Sequence, residues 1–224
     1  MKLKIVAMTA LVFVAPLGAL AQNLTAQGVL DKLTATSKSL KDVTARLTGT
    51  TNTVDQKLKL DIELKAITAS SLVRIKFNAP DSLADNFIIV DKDKVSNYLF
   101  LTNQVTVSSK NKATIAGMSL DFSKVTDIGA LFPADQVNLK IARTEDTPAG
   151  KAYVLEATPK AKSNLAFAKA TVWIVENGWR PYRIVGTTDK GDSLDLTVVQ
   201  WKANGGLKEK DLRAIPKDAE IIKR

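Results

Sequence analysis

The chain has 224 residues, with 32 Lys and Arg against 23 Asp and Glu, no histidine and no cysteine. Without those two residue types it cannot assemble Ser-His-Asp or Cys-His nucleophilic groups, disulfides, the usual nitrogen and sulfur ligands of zinc, or the lipid-modified cysteine of a lipoprotein. A formal charge of +9 suits anionic lipid surfaces or acidic partners, or serves solubility alone.

Lys2 and Lys4 precede an apolar run from Ile5 to Val14, which is followed by Pro16, Gly18 and Ala19-Leu20-Ala21. This is the pattern of a secretory signal peptide with a small-x-small cleavage site. The run is short for a bilayer span. Residues 1–21 are therefore expected to be a leader, and 22–224 a single exported domain, for which nucleic acid is not an expected partner. Removing the leader takes two lysines and no acid, so the remainder stays basic. A mature chain of about 200 residues is long enough to bury one large core.

From Thr25 to about Leu47, Val29, Leu30, Leu33, Leu40, Val43 and Leu47 fall largely at spacings of three and four. This predicts one amphipathic helix with Thr25 as its N-cap, passing into a strand near the β-branched run from Thr48 to Val54. Beyond it the period becomes two. Leu58, Leu60, Ile62 and Leu64 alternate with Lys57, Lys59, Asp61, Glu63 and Lys65, one face apolar and the other charged. Val73, Ile75 and Phe77 alternate in the same way up to Asn78-Ala79-Pro80.

Phe87 to Val90, a turn at 91–94 and Val95 to Leu101 predict a hairpin, and Thr102-Asn103 turns the chain into Gln104 to Ser108. Between Ser109 and Pro133 the alternation lapses, and Phe122, Val125, Ile128 and Leu131 fall at helical spacing. Strands resume at Val137, Leu139 and Ile141, at Ala152 to Ala157, and on both sides of Asn177-Gly178, a hairpin dipeptide. A last strand runs from Leu194 to Trp201, and Gly205-Gly206 opens a polar tail that ends in Ala219 to Ile222. The sum is roughly ten antiparallel strands led by one helix, with no helix-strand alternation and no repeat. A closed or partly closed barrel and a two-sheet sandwich both fit.

Candidate chemistry is sparse. Asp61 and Glu63 share a strand face, and Asp189, Asp192 and Asp195 cluster, but the first pair sits among lysines on a solvated face and the second group borders a Gly-containing turn. Asp91 and Asp93 lack the Gly and Glu of an EF-hand loop, and Gly205-Gly206 lacks the Lys-Ser or Lys-Thr pair of a phosphate loop. No enzymatic activity and no cofactor are expected. What remains is a large apolar face: Leu58, Leu60, Ile62, Leu64, Val73, Ile75, Phe77, Val137, Leu139 and Ile141. Periodicity alone fits both a filled core and a hollow, ligand-holding one.

The order of landmarks resembles the LolA-like family of outer-membrane lipoprotein carriers over nearly the whole mature chain. The residues that carry it are Leu30-Asp31-Lys32-Leu33 in the first helix and the stretch from Val73 to Pro80. They continue with Phe87-Ile88-Ile89-Val90-Asp91, Tyr98, Asn103-Gln104-Val105, and Ile215 to Ile222. The resemblance implies an incomplete antiparallel β-barrel whose helices cover a hydrophobic cavity. It further implies a soluble periplasmic carrier, monomeric, that binds acyl chains of lipoproteins or other lipids between an inner-membrane release complex and an outer-membrane acceptor. The ten apolar residues above become the cavity lining, and Phe122, Val125, Ile128 and Leu131 the lid. A module of the same fold that senses a lipidated partner without transporting it is the alternative. The family's lid-locking Arg before a Pro is not matched, since the corresponding stretch here is Lys65-Ala66-Ile67-Thr68-Ala69-Ser70.

Overall fold

The computed structural model describes residues 24–53, 56–109, 132–161, 163, 165 and 167–223, with the backbone of 114–115 and 118–119. The expected leader and the expected lid residues Phe122, Val125, Ile128 and Leu131 lie outside the described residues.

Helix α1 spans Ala26–Ser39. Thr25 caps it as expected, its hydroxyl accepting the Gly28 amide at 3.0 Å and so satisfying one of the free donors of the first turn. Val29, Leu30 and Leu33 form its buried stripe. The helix ends before Leu40, not near Leu47. Leu40, Val43 and Leu47 fit helical spacing, but Val43, Ala45 and Leu47 also fit alternation, and pairing on both sides of this stretch decides for the strand.

The strands in chain order are β1 (Asp42–Asn52), β2 (Lys57–Ile67), β3 (Leu72–Ala79), β4 (Phe87–Asp91), β5 (Lys94–Leu99) and β6 (Gln104–Ser109). The short pair β7 (Thr114–Ile115) and β8 (Met118–Ser119) follows, then β9 (Val137–Thr147), β10 (Gly150–Pro159), β11 (Lys169–Val175), β12 (Arg180–Thr187) and β13 (Ser193–Ala203). A one-turn helix α2 (Glu209–Leu212) and strand β14 (Glu220–Lys223) complete the described elements. Twelve strands make one sheet in the order β14-β6-β5-β4-β3-β2-β1-β13-β12-β11-β10-β9. The sheet does not close, because its ends β14 and β9 do not pair with each other. It is a mainly β, incomplete barrel, as expected, with two departures. The β5 strand stops at Leu99 in a 3-10 turn over Phe100–Thr102. The tail contributes β14, which joins β6 in parallel, where an antiparallel meander alone was expected.

The two halves of the meander meet where β1 pairs β13, Val43 opposite Ala203 and Thr51 opposite Leu194. The register there shifts between Arg46 and Leu47, a β-bulge that adds local bend and twist. Opposite partners share a face, so the register assigns one inner face running from Ile75 through Leu64 to Ala45 on β1, and from Gly49 on the same side of β1 through Leu196, Ile184 and Val172 to Leu155. The helix α1 lies on that face.

The C-terminal segment crosses the opposite, outer face as a strap. Leu212, with Leu207 and Ile215 beside it, packs on Leu72, Phe87, Ile89, Tyr98 and Val105. Arg74 Nη1 donates to the carbonyls of Leu212 and Ala214 at 3.1 and 2.6 Å while its guanidinium lies 3.7 Å over the Phe87 ring. Arg213 binds the Asp91 carboxylate from β4 at 2.6 and 3.1 Å and also pairs with Glu209. The hydrogen bonds from Arg213 hold the Asp91 carboxyl below its ordinary value of 3.8. A carboxyl depressed in the folded state contributes stability above its unfolded pKa and loses it as pH falls through the folded one. The Asp91→Asn variant is accordingly expected to melt below the parent at pH 7. The gap between the two melting temperatures should close as the pH is taken well below 3.8, and a gap that stays constant across that range contradicts the ion pair.

Candidate functional site

The inner face divides into two apolar wings. Under α1, Val29, Leu30 and Leu33 pack on Val137, Tyr153, Leu155, Ala157, Val172 and Ile174. On the other wing, Leu60, Ile62, Val73, Ile75, Phe77, Ile88, Val90 and Val95 pack together with Leu196, and Leu83 from the β3–β4 connection joins them. Ile184 on β12 touches both wings, so the apolar surface is continuous. Among the described residues no helix lies over the second wing. Each fully buried Leu, Ile or Phe contributes about 1.5–3 kcal/mol relative to exposure, so this face is also the main source of stability.

The ten expected lining residues all lie on the inner face, but not together. Leu58, Leu60, Ile62, Leu64, Val73, Ile75 and Phe77 belong to the second wing, with Leu58 and Leu64 partly buried and the others buried. Val137, Leu139 and Ile141 lie under the helical wing, and five strands separate β9 from β2. Sequence reasoning missed the centre of the face, chiefly Leu155, Val172, Ile174, Ile184 and Leu196. A signal was present, but β10 and β11 are apolar on both sides. Ala152, Val154, Trp173 and Val175 form a separate buried cluster on the outer face. Alternation therefore reads as a continuous run and does not tell which side faces the helix.

Around the hairpin end of β11 and β12 aromatic rings and cations come together. Tyr153 stacks on Trp179 with centroids 5.7 Å apart, and the Lys32 ammonium of α1 stands 5.0 Å over Trp179. Next to it, the Arg180 guanidinium lies 5.7 Å from the Trp201 ring, which packs against Val43, Ala45 and Val198. Arg180 Nη1 is buried without a hydrogen-bond partner. Burial pulls this guanidinium down from its ordinary value.

The acidic residues are engaged elsewhere. Asp61 on the outer face accepts from Arg46 Nε and Nη2 at 3.0 and 2.5 Å and from Asn78 at 3.3 Å, and the Arg46 hydrogen bond holds its carboxyl below the usual range. Glu63 pairs with Lys65 at 2.7 Å, and Asp195 accepts two bonds from Arg183 at 2.8 and 2.6 Å. Asp192 helps close the turn after Thr188. Carboxylates neutralised by cations on a solvated face are structural ion pairs, not an acid and base facing a shared substrate. Among the described residues no group of three or more His, Cys, Asp or Glu is placed to hold a metal ion. Two surface depressions, of about 430 and 100 Å³, lie on the outer face. The larger is bordered by Thr44, Ala45, Arg46, Glu63, Asn78, Gln200, Trp201 and Lys202, and the smaller by Asn138, Leu139, Lys140, Glu156 and Thr158. Among the described residues no helix is long and apolar enough to cross a membrane.

No family model matches the chain, and no curated protein matches it. Solved structures do. An uncharacterized conserved protein from Thermus thermophilus is 28% identical with a TM-score of 0.65, over 89% of this chain and 99% of that one. A domain from Vibrio parahaemolyticus, provisionally described as an outer membrane lipoprotein-sorting protein, has a TM-score of 0.50 at 14% identity, over 83% of this chain and 94% of that one. MucB in complex with MucA superposes with a TM-score of 0.50 at 15% identity, over 88% of this chain and 62% of the MucB chain.

Proposed function

Starting from a LolA-like fold, we propose that this protein is a non-enzymatic, monomeric carrier in the periplasm. It binds acyl chains of lipoproteins or other lipids along the inner face of its open sheet and moves them toward the outer membrane. The observation that carries this reading is the apolar inner face itself. It is continuous through Ile184 from the wing under α1 to the wing over β2–β5, and its sheet is unclosed. A hydrocarbon chain that replaces contacts along this face gains about 0.8 kcal/mol per buried methylene.

The proposal includes export through the leader at 1–21, loading by an inner-membrane release complex and unloading on an outer-membrane acceptor. It also assigns the ten lining residues to acyl contact, and the segment bearing Phe122, Val125, Ile128 and Leu131, together with α1, to a movable cover. The fold likeness to a lipoprotein-sorting domain supports this reading, as does the strongly basic charge. The alternative, a sensing module of the same fold, shares the binding step and lacks delivery.

Native mass spectrometry of the mature protein incubated with diacylated lipopeptide and phospholipid vesicles tests the binding. The expected spectrum contains one-lipid adducts of the folded protein. A second step with lipid-free acceptor vesicles should strip those adducts. Protein that emerges lipid-free from the first incubation overturns the proposal, and adducts that persist through the second favour the sensing module.

A further inference from the structure

We propose that Arg180 is the anchor for an anionic head group, so that the ligand is a single-charged oxyanionic lipid, a carboxylate or phosphate diester at the end of an acyl chain. This rests on the acyl-binding reading above and narrows its ligand class. A guanidinium has five N–H donors and cannot shed its charge, so a buried nitrogen without a partner costs the full desolvation of that donor. Arg180 Nη1 is in that position. The residue is only half-buried, so the guanidinium can still be approached from solvent. It lies against the Trp201 ring, which attracts the cation without supplying an acceptor.

The surroundings reinforce the charge. Lys32 stands over the neighbouring Trp179, adding a second cation on the inner side. The nearby acids are occupied, Glu176 by Lys151 at 3.5 Å and Asp195 by Arg183 on the outer face. Other arginines in the fold have found acceptors. Arg46, Arg74, Arg143, Arg183 and Arg213 all make hydrogen bonds to carboxylates or carbonyls.

The placement also fits an amphiphile. Val43, Ala45 and Val198 around Trp201 lead to the second wing through Leu47, and Tyr153 beside Trp179 leads to the helical wing. A head group held at Arg180 would send its tail along either apolar wing. The neutral glyceride end of a lipoprotein offers this cation only uncharged carbonyl acceptors, which bind it more weakly than an oxyanion. An oxyanion supplies two acceptor atoms in the geometry of the guanidinium fork.

Palmitate, methyl palmitate and phosphatidylglycerol, each measured against the mature wild-type protein by displacement of a fluorescent acyl probe, test the assignment. Wild type is expected to bind palmitate at least about tenfold more tightly than methyl palmitate, the worth of one charge-assisted hydrogen bond. Arg180→Gln should erase that preference by weakening palmitate alone, Arg180→Lys should restore part of it, and unchanged melting temperatures certify the variants. Phosphatidylglycerol losing affinity in Arg180→Gln while palmitate does not identifies the phosphate diester as the head group, and the reverse identifies the carboxylate. Equal binding of palmitate and methyl palmitate, unaltered by Arg180→Gln for all three lipids, means that an ordered water alone satisfies Nη1 and overturns the anchor while leaving acyl binding intact. Failure of every lipid to displace the probe removes the acyl-binding reading, and the anchor with it.

Discussion

Gly49→Ala is expected to destabilise the protein by about 3 kcal/mol or more, the range of severe overpacking against an immobile neighbour. A Cβ on Gly49 would lie 1.8 Å from the Asp195 carbonyl oxygen and 3.0 Å from the Leu196 Cα. Both atoms are backbone, so no side-chain rotation relieves the contact. The only relief is to part β1 from β13, the pairing that joins the two halves of the sheet. Gly186 on the adjacent β12 is the internal control, since a Cβ there meets nothing within 4 Å. Replacing a strand glycine at an open position reduces the freedom of the unfolded chain, so Gly186→Ala should be neutral or stabilising by about 0.5–1 kcal/mol. Urea unfolding midpoints of the two variants measure the contrast. Equal midpoints would show that the close approach of β1 and β13 does not exist in solution.

The second large effect is expected at Asp42. This carboxylate is buried, yet every contact it makes is local to one task. Its two oxygens accept the amides of Gly205 at 2.7 Å, Gly206 at 2.9 Å and Leu207 at 3.3 Å. Its carbonyl accepts the Asn204 amide at 2.8 Å, and the Asn204 side chain accepts from the Lys41 amide at 2.8 Å. Gly206 holds φ at +79° and Asn204 at +56°, which turns the successive amides toward one point. Asp42→Ala takes the charged acceptor from three backbone amides; Gly205 and Gly206 are exposed and can rebond to water, so a loss of about 1.5–3 kcal/mol, the worth of a hydrogen bond to a charged group, is expected. The strap should loosen first. Amide exchange at 205–207 and protease sensitivity within 204–219 are expected to rise before the sheet itself opens. A variant with parental exchange in that segment would mean that the strap is held by its apolar contacts and by Arg74 alone.

These two positions bear on function because they hold the frame around the inner face. Gly49 lets β1 and β13 meet beneath the two apolar wings, and Asp42 begins β1 where the strap leaves β13. An open sheet lacks the mutual bracing of a closed barrel. The strap supplies part of it by tying β3, β4 and β6 to the C-terminal segment.

Much of this molecule is written locally. The alternation of Leu58 to Lys65 made β2, and Asn177-Gly178, with Gly178 at φ +79°, made the β11–β12 hairpin. Thr25 started α1, and the lack of histidine and cysteine removed whole classes of chemistry. The end of α1 was not legible, because Leu40, Val43 and Leu47 satisfy two periods at once. Neither was the centre of the inner face, because Ala152 to Leu155 are apolar on both sides of β10.

Residue order alone therefore settles most of the strands, their two-faced character and the chemistry they exclude. Three-dimensional packing had to decide that β1 pairs β13, that the tail returns in parallel beside β6, and that Arg180 lies against Trp201 with a nitrogen unsatisfied. A period of two records that a side chain faces one way or the other, which is a property of neighbouring residues. Which distant strand lies alongside, and what covers each face, depends on contacts spanning more than a hundred residues, and no local pattern encodes those.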